Sequence, residues 1–354
     1  MSTEIPQPEP LVEVRRGSIT ESRHRGHIAA VDNEAHLIAS AGSPVTVTYL
    51  RSSAKPFQAL PVITLGAADH FGFTEKEVAL ACASHSGEPI HTEIVASMLN
   101  KIGLEPGDLK CGIHEPFSPT VVAEMRAKGE EPNVLQNNCS GKHAAMLALA
   151  RHLGAPIDSY NLASNPVQRS IARMVSLFSG VPEEDLAVGI DGCGVPVFGL
   201  TVKSMALAYA RLVSPLKRFD SIIRESCSRI TQAMTNHPEL IGGTSDRLDT
   251  EIMRASPGQI ISKVGAEGVY TAGIIPCDKW PTGFGLALKI EDGENHRARP
   301  TVVIDALRQL DVLKDASLEH VAHYAFFPVK NRNGDVVGEI RASFSLSFPQ
   351  KDIR

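Results

Sequence analysis

The chain has 354 residues, 43% of them apolar and 21% charged, with a net charge of −5. That composition predicts a folded globular protein and gives no electrostatic footing for binding nucleic acid. No run approaches the roughly 20 apolar residues of a membrane span, so neither a nucleic acid nor a membrane is expected as a partner.

The first ten residues, MSTEIPQPEP, are rich in proline and charge and read as a disordered arm over 1–10, without the basic and apolar regions of a signal peptide. Residues 11–354 form one folded unit in this reading, β-rich over 11–50 and 257–348 and helical over 51–256. "LVEVRRG", "HRGHIAAVD" and "AHLIASAG" are β-prone, with Asp32-Asn33 as a turn. "TEIVASMLNKIG", "GKHAAMLALARHLG", "NPVQRSIARMVSLFSG" and "SIIRESCSRITQAM" carry apolar residues at helical spacing, and glycine closes the first three. "GVYTAGIIP", "GFGLALKIEDG" and "GEIRASFSL" return to strand, and Asn333-Gly334 marks a hairpin turn. The fold class that follows is α/β in the layered α+β sense, with one antiparallel sheet built from both termini and a helical middle. The six cysteines are widely spaced and form no C-x-x-C, so reduced thiols and a cytoplasmic location are expected.

Chemistry concentrates in a few stretches. In "YLRSSAKPFQAL" a helix starting near Ser52 or Ser53 puts Ser52 and Lys55 one turn apart, with Pro56 tolerated in the first turn. A serine hydroxyl needs an adjacent base to become a nucleophile, and lysine serves only when neutral. Its ordinary pKa near 10.4 must fall close to neutrality, at a cost of roughly 4 kcal/mol, which burial or a second cation would supply. The plain alternative is a helix cap with a lysine reaching to solvent.

"ACASHSGEP" crowds Ser84, His85, Ser86 and Glu88 after an apolar run, and "IISKVGAEG" sets Lys263 ahead of two glycines, in the outline of a K-T-G strand without its threonine. In "NNCSGKHAAM", Cys139 and His143 are four apart at a helix start, and Cys193 lies in the glycine-framed "GIDGCGVPVFG". Two thiolates and an imidazole make a plausible zinc set by spacing, against the usual alternative of buried free cysteine.

Together, "RSSAKPFQALP", "ASHSGE", "LQNNCSGKHAAML", "DGCGVPVF", "GGTSDRLDTEIM", "KVGAEGVY" and "GFGLALKIEDG" resemble the Rhizobium etli-type L-asparaginase family. The resemblance runs in order from about residue 12 to residue 345. It implies hydrolysis of L-asparagine to L-aspartate and ammonia, a fold like that of serine β-lactamases and glutaminases, and a homodimer. It also implies two Ser–Lys pairs: Ser52 with Lys55 as nucleophile and base, and Ser84 with Lys263. A zinc ion would be held by Cys139, Lys142 and Cys193, with His143 close by, in a role that supports substrate affinity rather than generating the nucleophile. Here the resemblance chooses Lys142 where spacing chose His143. For substrate recognition the candidates are Arg51 for the α-carboxylate, Asp191 and Glu88 for the α-ammonium, and His143 and Gly192 beside them. Rival readings are a glutaminase or other serine amidohydrolase, a hydrolase using zinc-bound water, and a non-catalytic amino-acid sensor.

Overall fold

The structure, a computed structural model, describes residues 7–349. Eleven strands are present among them: β1 Glu9–Arg16, β2 Ile19–Val31, β3 Leu37–Ala41, β4 Val47–Tyr49, β5 Ala187–Ile190, β6 Pro196–Thr201, β7 Ile260–Val264, β8 Val269–Ile274, β9 Phe284–Ile290, β10 Phe327–Lys330 and β11 Val336–Ala342. The chain divides into two units, one made of the described parts of Met1–Ser53, Leu200–Ser214 and Glu251–Arg354, the other of Ala54–Gly199 and Pro215–Thr250.

The first unit is the sheet expected from both termini. Its strand order is β10-β11-β1-β2-β9-β8-β7, with β3 also on β2. The pairings are antiparallel, for example Val14↔Ile340 and Ile28↔Leu288. Every residue of β8 and all but Lys289 of β9 are buried, so these central strands are covered on both faces. Gly285 shows how closely. A Cβ there would collide with the carbonyl oxygen of Ala206, so helix Val202–Val213 lies against β9 only because the strand carries glycine at that point. Helix Ala298–Gln309 packs on β1 and β11. Gly334 takes a φ of +92° in the turn between β10 and β11, as the Asn-Gly signal requires.

Two boundaries differ from expectation. The strand β1 begins at Glu9, because its pairing with β2 extends to Glu9↔Gly26 and Pro10↔Arg25. This takes two residues from the expected arm, and residues 1–6 of that arm lie outside the described residues. The middle of the chain is also not helical throughout. β5 and β6 form an antiparallel hairpin inside it, and helix Val202–Val213 belongs to the unit with the large sheet.

The second unit is mainly helical. The four periodic segments form helices Pro89–Lys101, Ser140–Leu153, Pro166–Ser179 and Ser221–Asn236. Gly154 and Gly180 end two of them in the left-handed conformation, where glycine carries no Cβ penalty. Phe57, Phe178 and Phe219 stack in series through its core, with ring centroids 5.6 and 5.4 Å apart. Among the described residues no helix is long and apolar enough to cross a membrane.

Candidate active site

The "RSSAK" stretch is helical from its first residue. A 3₁₀ turn over Arg51–Ala54 runs directly into helix Lys55–Thr64, with Pro56 in the first turn as expected. Pro61 sits inside this helix, which ends at Thr64. Arg51 has a φ of +51°, a conformation that costs a non-glycine residue and therefore marks a position held in place by its surroundings.

In the sheet unit, the two serines differ sharply. Ser53 is fully buried, donates from Oγ to the Lys263 carbonyl at 3.2 Å, and lends its own carbonyl to the Tyr209 hydroxyl at 2.8 Å. Ser52 is half-buried, which leaves its hydroxyl the more available of the two. Lys263 is wholly buried near the end of β7, opposite Thr271, whose hydroxyl donates to the Lys263 carbonyl at 3.2 Å. Arg51 Nη1 stands 4.0 Å from Glu267 Oε1, in the turn after β7.

In the helical unit, Lys55 is 1% exposed. Its Nζ lies 2.5 Å from the Ala83 carbonyl oxygen, 2.9 Å from that of Asn138 and 2.9 Å from Ser84 Oγ. As an ammonium it donates to all three oxygens. As a neutral amine it donates to the two carbonyls and accepts from the Ser84 hydroxyl. The same atoms therefore serve both protonation states. Burial drives the Lys55 pKa down; Cys139 opposes this and Lys142 adds to it. Within this unit the neighbouring cation is Lys142, and the hydroxyl that Lys55 meets belongs to Ser84.

The motif "NNCSGKHAAM" explains itself residue by residue. Asn137 Oδ1 accepts from the Cys139 N–H at 2.8 Å, while its Nδ2 ties the carbonyls of Cys111 and Gly112, both at 3.0 Å. Gly141 lets helix Ser140–Leu153 touch the preceding helical layer, because a Cβ there would sit 2.6 Å from the Leu80 carbonyl oxygen. The helix starts at Ser140 with Cys139 as its cap. Lys142 Nζ lies 2.9 Å from Cys193 Sγ, and the Cys139 and Cys193 thiols act on each other's proton affinity. Cys193, with Lys142 and Lys55 nearby, holds the Cys139 thiol well below its ordinary range despite burial. Cys193, the partner of Cys139 and itself buried, shifts up. Burial works against the Lys142 ammonium, but Cys139, Cys193 and Asp191 outweigh it and its pKa rises.

His143 donates or accepts through Nδ1 with the Tyr160 hydroxyl at 2.7 Å, and its Nε2 is buried without a partner among the described residues. Burial, with Lys142 and Lys55 beside it, keeps this imidazole neutral. Among the described residues no three His, Cys, Asp or Glu side chains are grouped for a metal ion. The candidate zinc set is the Cys139 and Cys193 thiols and the Lys142 amine, all buried, with Lys142 Nζ against Cys193 Sγ. Asp191 lies 3.9 Å from Cys193 Sγ and holds the turn through the N–H of the exposed Gly192 at 3.0 Å. Glu88 is buried, with Oε1 accepting from the Thr244 N–H at 3.2 Å.

The sequence marks His85 without giving it a role and does not single out Arg247. His85 accepts the Gly87 N–H at Nδ1, 3.1 Å, and its Nε2 donates to Ser140 Oγ, 2.9 Å, since that hydroxyl's own proton goes to the Leu135 carbonyl. Arg247 binds the Ser84 carbonyl at 2.7 Å and Ser86 Oγ at 2.6 Å. Its only sequence signal was a lone arginine inside the polar block "GGTSDRLD".

Residues 12–342 match the L-asparaginase II family. Among curated proteins no relative matches the chain. Among solved structures it is similar to a probable glutaminase from Bacillus subtilis complexed with 6-diazo-5-oxo-L-norleucine, at 15% identity over 84% of this chain and 87% of that one, with a TM-score of 0.37. It is also similar to a β-lactamase from Burkholderia ambifaria, at 18% identity over 81% of this chain and 93% of that one, with a TM-score of 0.38. The family match spans nearly the whole chain and takes in every motif described above, so the chain belongs to the L-asparaginase II family and is an amidohydrolase.

Proposed function

We propose that this amidohydrolase converts L-asparagine to L-aspartate and ammonia through a covalent acyl-enzyme on Ser52. The observation that carries the proposal is the Lys55 amine, buried, lowered in pKa and set among three oxygens that suit it with or without the extra proton. A base of this kind transfers a proton with little rearrangement, which is what general-base catalysis needs.

In the proposed cycle Ser52 Oγ attacks the side-chain amide carbon and its proton passes to Lys55. Lys55 returns the proton to the departing amide nitrogen through the Ser84 hydroxyl, and ammonia leaves. Lys263 supplies a second positive charge for the developing oxyanion. Water then attacks the β-aspartyl ester, its proton passing to Lys55, which returns it to Ser52 Oγ as L-aspartate leaves. The half-buried Ser52, rather than the buried and engaged Ser53, is the hydroxyl free to attack. Arg51 is the proposed partner of the α-carboxylate. The α-ammonium is assigned to Asp191, because Glu88 is already committed to the Thr244 amide.

Cys139, Lys142 and Cys193 would hold a zinc ion, whose positive charge would orient the substrate. His143, with a neutral ring and an unused Nε2, stands ready as a hydrogen-bonding neighbour. The working form is proposed to be a homodimer, as sedimentation would read.

Ammonia release from L-asparagine and L-glutamine separates the readings. The extra methylene of glutamine is worth only about 1–3 kcal/mol, so a preference for asparagine of roughly 10- to 200-fold in kcat/KM is expected. Equal rates, or a preference for glutamine, would make the enzyme a glutaminase.

A further inference from the structure

Ser84 takes part in the proposed cycle but is not on a helix or a strand. Something else must fix it against Lys55. Its N–H donates to the Ile241 carbonyl at 2.9 Å, and its carbonyl receives Arg247 Nη2 at 2.7 Å. The other arm of the same guanidinium, Nη1, donates to Ser86 Oγ at 2.6 Å and to the Gly242 carbonyl at 3.0 Å. Ser86 Oγ in turn donates to the Gly242 carbonyl at 3.0 Å, and Gly243 comes so near that a Cβ would lie 2.5 Å from that hydroxyl. The guanidinium carbon lies 5.4 Å from the centre of the Phe117 ring, which covers it from the outside. The adjoining Ser118 N–H donates to the Ser86 carbonyl at 3.1 Å.

Two cations therefore grip one short segment from two sides. Lys55 holds the Ala83 carbonyl and the Ser84 hydroxyl, while Arg247 holds the Ser84 carbonyl and the Ser86 hydroxyl. The Arg247 fork reaches two acceptors two residues apart in a plane, which a lysine ammonium cannot reproduce.

We propose that Arg247, clamped under Phe117, is a positioning residue that fixes Ser84 against Lys55 for proton transfer. This rests on the role of Ser84 in the proposed reaction. Arg247 acts through the Ser84 carbonyl and the Ser86 hydroxyl, so its loss weakens the chemical step rather than substrate binding. Misplacing a catalytic group by an ångström costs on the order of 100-fold.

The test uses the full chain with Arg247→Lys and Arg247→Met, read by steady-state kinetics and by amide hydrogen exchange over residues 83–87. Both variants should lower kcat by roughly 10- to 100-fold with KM changed less than about twofold. Exchange should quicken over 83–87 while helix Ser140–Leu153 keeps its protection. If Arg247→Met does not fold, Arg247→Lys carries the test, because it keeps the charge and loses the fork. A lysine variant with wild-type kcat, or one in which KM rises as kcat holds, overturns the proposal. So does loosening spread evenly over the whole chain, which would make Arg247 a general structural residue. Ser84→Ala, with Arg247 intact, tests the underlying reading on its own. Full activity in that variant would remove Ser84 from the reaction even if the segment still loosens without Arg247.

Discussion

The sheet unit and the helical unit solve different problems. In β8 and β9 every side chain but Lys289 is buried and most are apolar, and the fit between layers is close, down to the missing Cβ of Gly285. Around Ser84 the buried groups are Lys55, Lys142, His85 and His143, each tied to a partner that keeps it from costing more. The first arrangement is built for stability. The second spends stability on groups whose protonation matters, as active sites commonly do. The contrast predicts that substitutions in the two places fail in different ways.

The largest effect belongs to the proposed catalytic residues. Lys55→Ala and Ser52→Ala should each lower kcat by about 10²–10⁴-fold. The double variant should be little worse than either single, because both remove the same step. Circular dichroism should show a folded protein in both. Multiplied losses in the double variant would separate the two residues.

Next in size is a defect of the opposite kind. Gly285→Ala forces a methyl group onto the Ala206 carbonyl and should destabilise the chain by about 1–3 kcal/mol or more, seen in thermal melting. Activity per folded molecule should hardly change. A large loss of kcat with an unaltered Tm would blur the contrast between the units.

A third effect falls between chemistry and structure. Cys139→Ala and Cys193→Ala, or chelation of the native protein, should raise KM by about tenfold with a smaller change in kcat. Elemental analysis should find about one zinc per chain in the native protein and little in the variants. Thiols and amine must lose protons to bind metal, so affinity should climb with pH. A metal-free protein that binds asparagine without turnover would hand the reaction to a zinc-bound water.

The smallest effect is a shift along the pH axis. Lysine acts as a base only when neutral, so kcat/KM should rise with pH along a limb set by Lys55. Burial moves that limb below the ordinary lysine range, the direction in which the Lys55 pKa is displaced. A limb that stays in the ordinary range would deny the buried amine its role.

The same contrast explains what could be read from the sequence. Strands β1, β2, β8, β9 and β11 and four long helices follow from local periodicity and turn chemistry, such as Gly154 and Gly180 in left-handed caps. Local pattern also singled out Ser52, Lys55, Ser84, Lys263 and the cysteines, because polar residues interrupted apolar runs. The partners were not legible. The contact between Lys55 and Ser84 joins residues 29 apart, and Arg247 reaches Ser84 across 163 residues. Spacing chose His143 to face the cysteines because three and four residues share one helix face; side-chain contacts separate the two, with Lys142 Nζ on Cys193 Sγ and His143 Nδ1 on the Tyr160 hydroxyl. The hairpin β5–β6 escaped because its β5 strand is only four residues long and mostly exposed, without an alternating pattern.

The central claim, a covalent intermediate on Ser52, is tested most directly by mass spectrometry of enzyme mixed with L-asparagine and quenched within a turnover. Peptides should show a β-aspartyl adduct on Ser52 that is absent without substrate and absent in Ser52→Ala. An adduct on Ser84 or Ser53 instead, or active enzyme with no adduct on any serine while Ser52→Ala still releases ammonia, would contradict it.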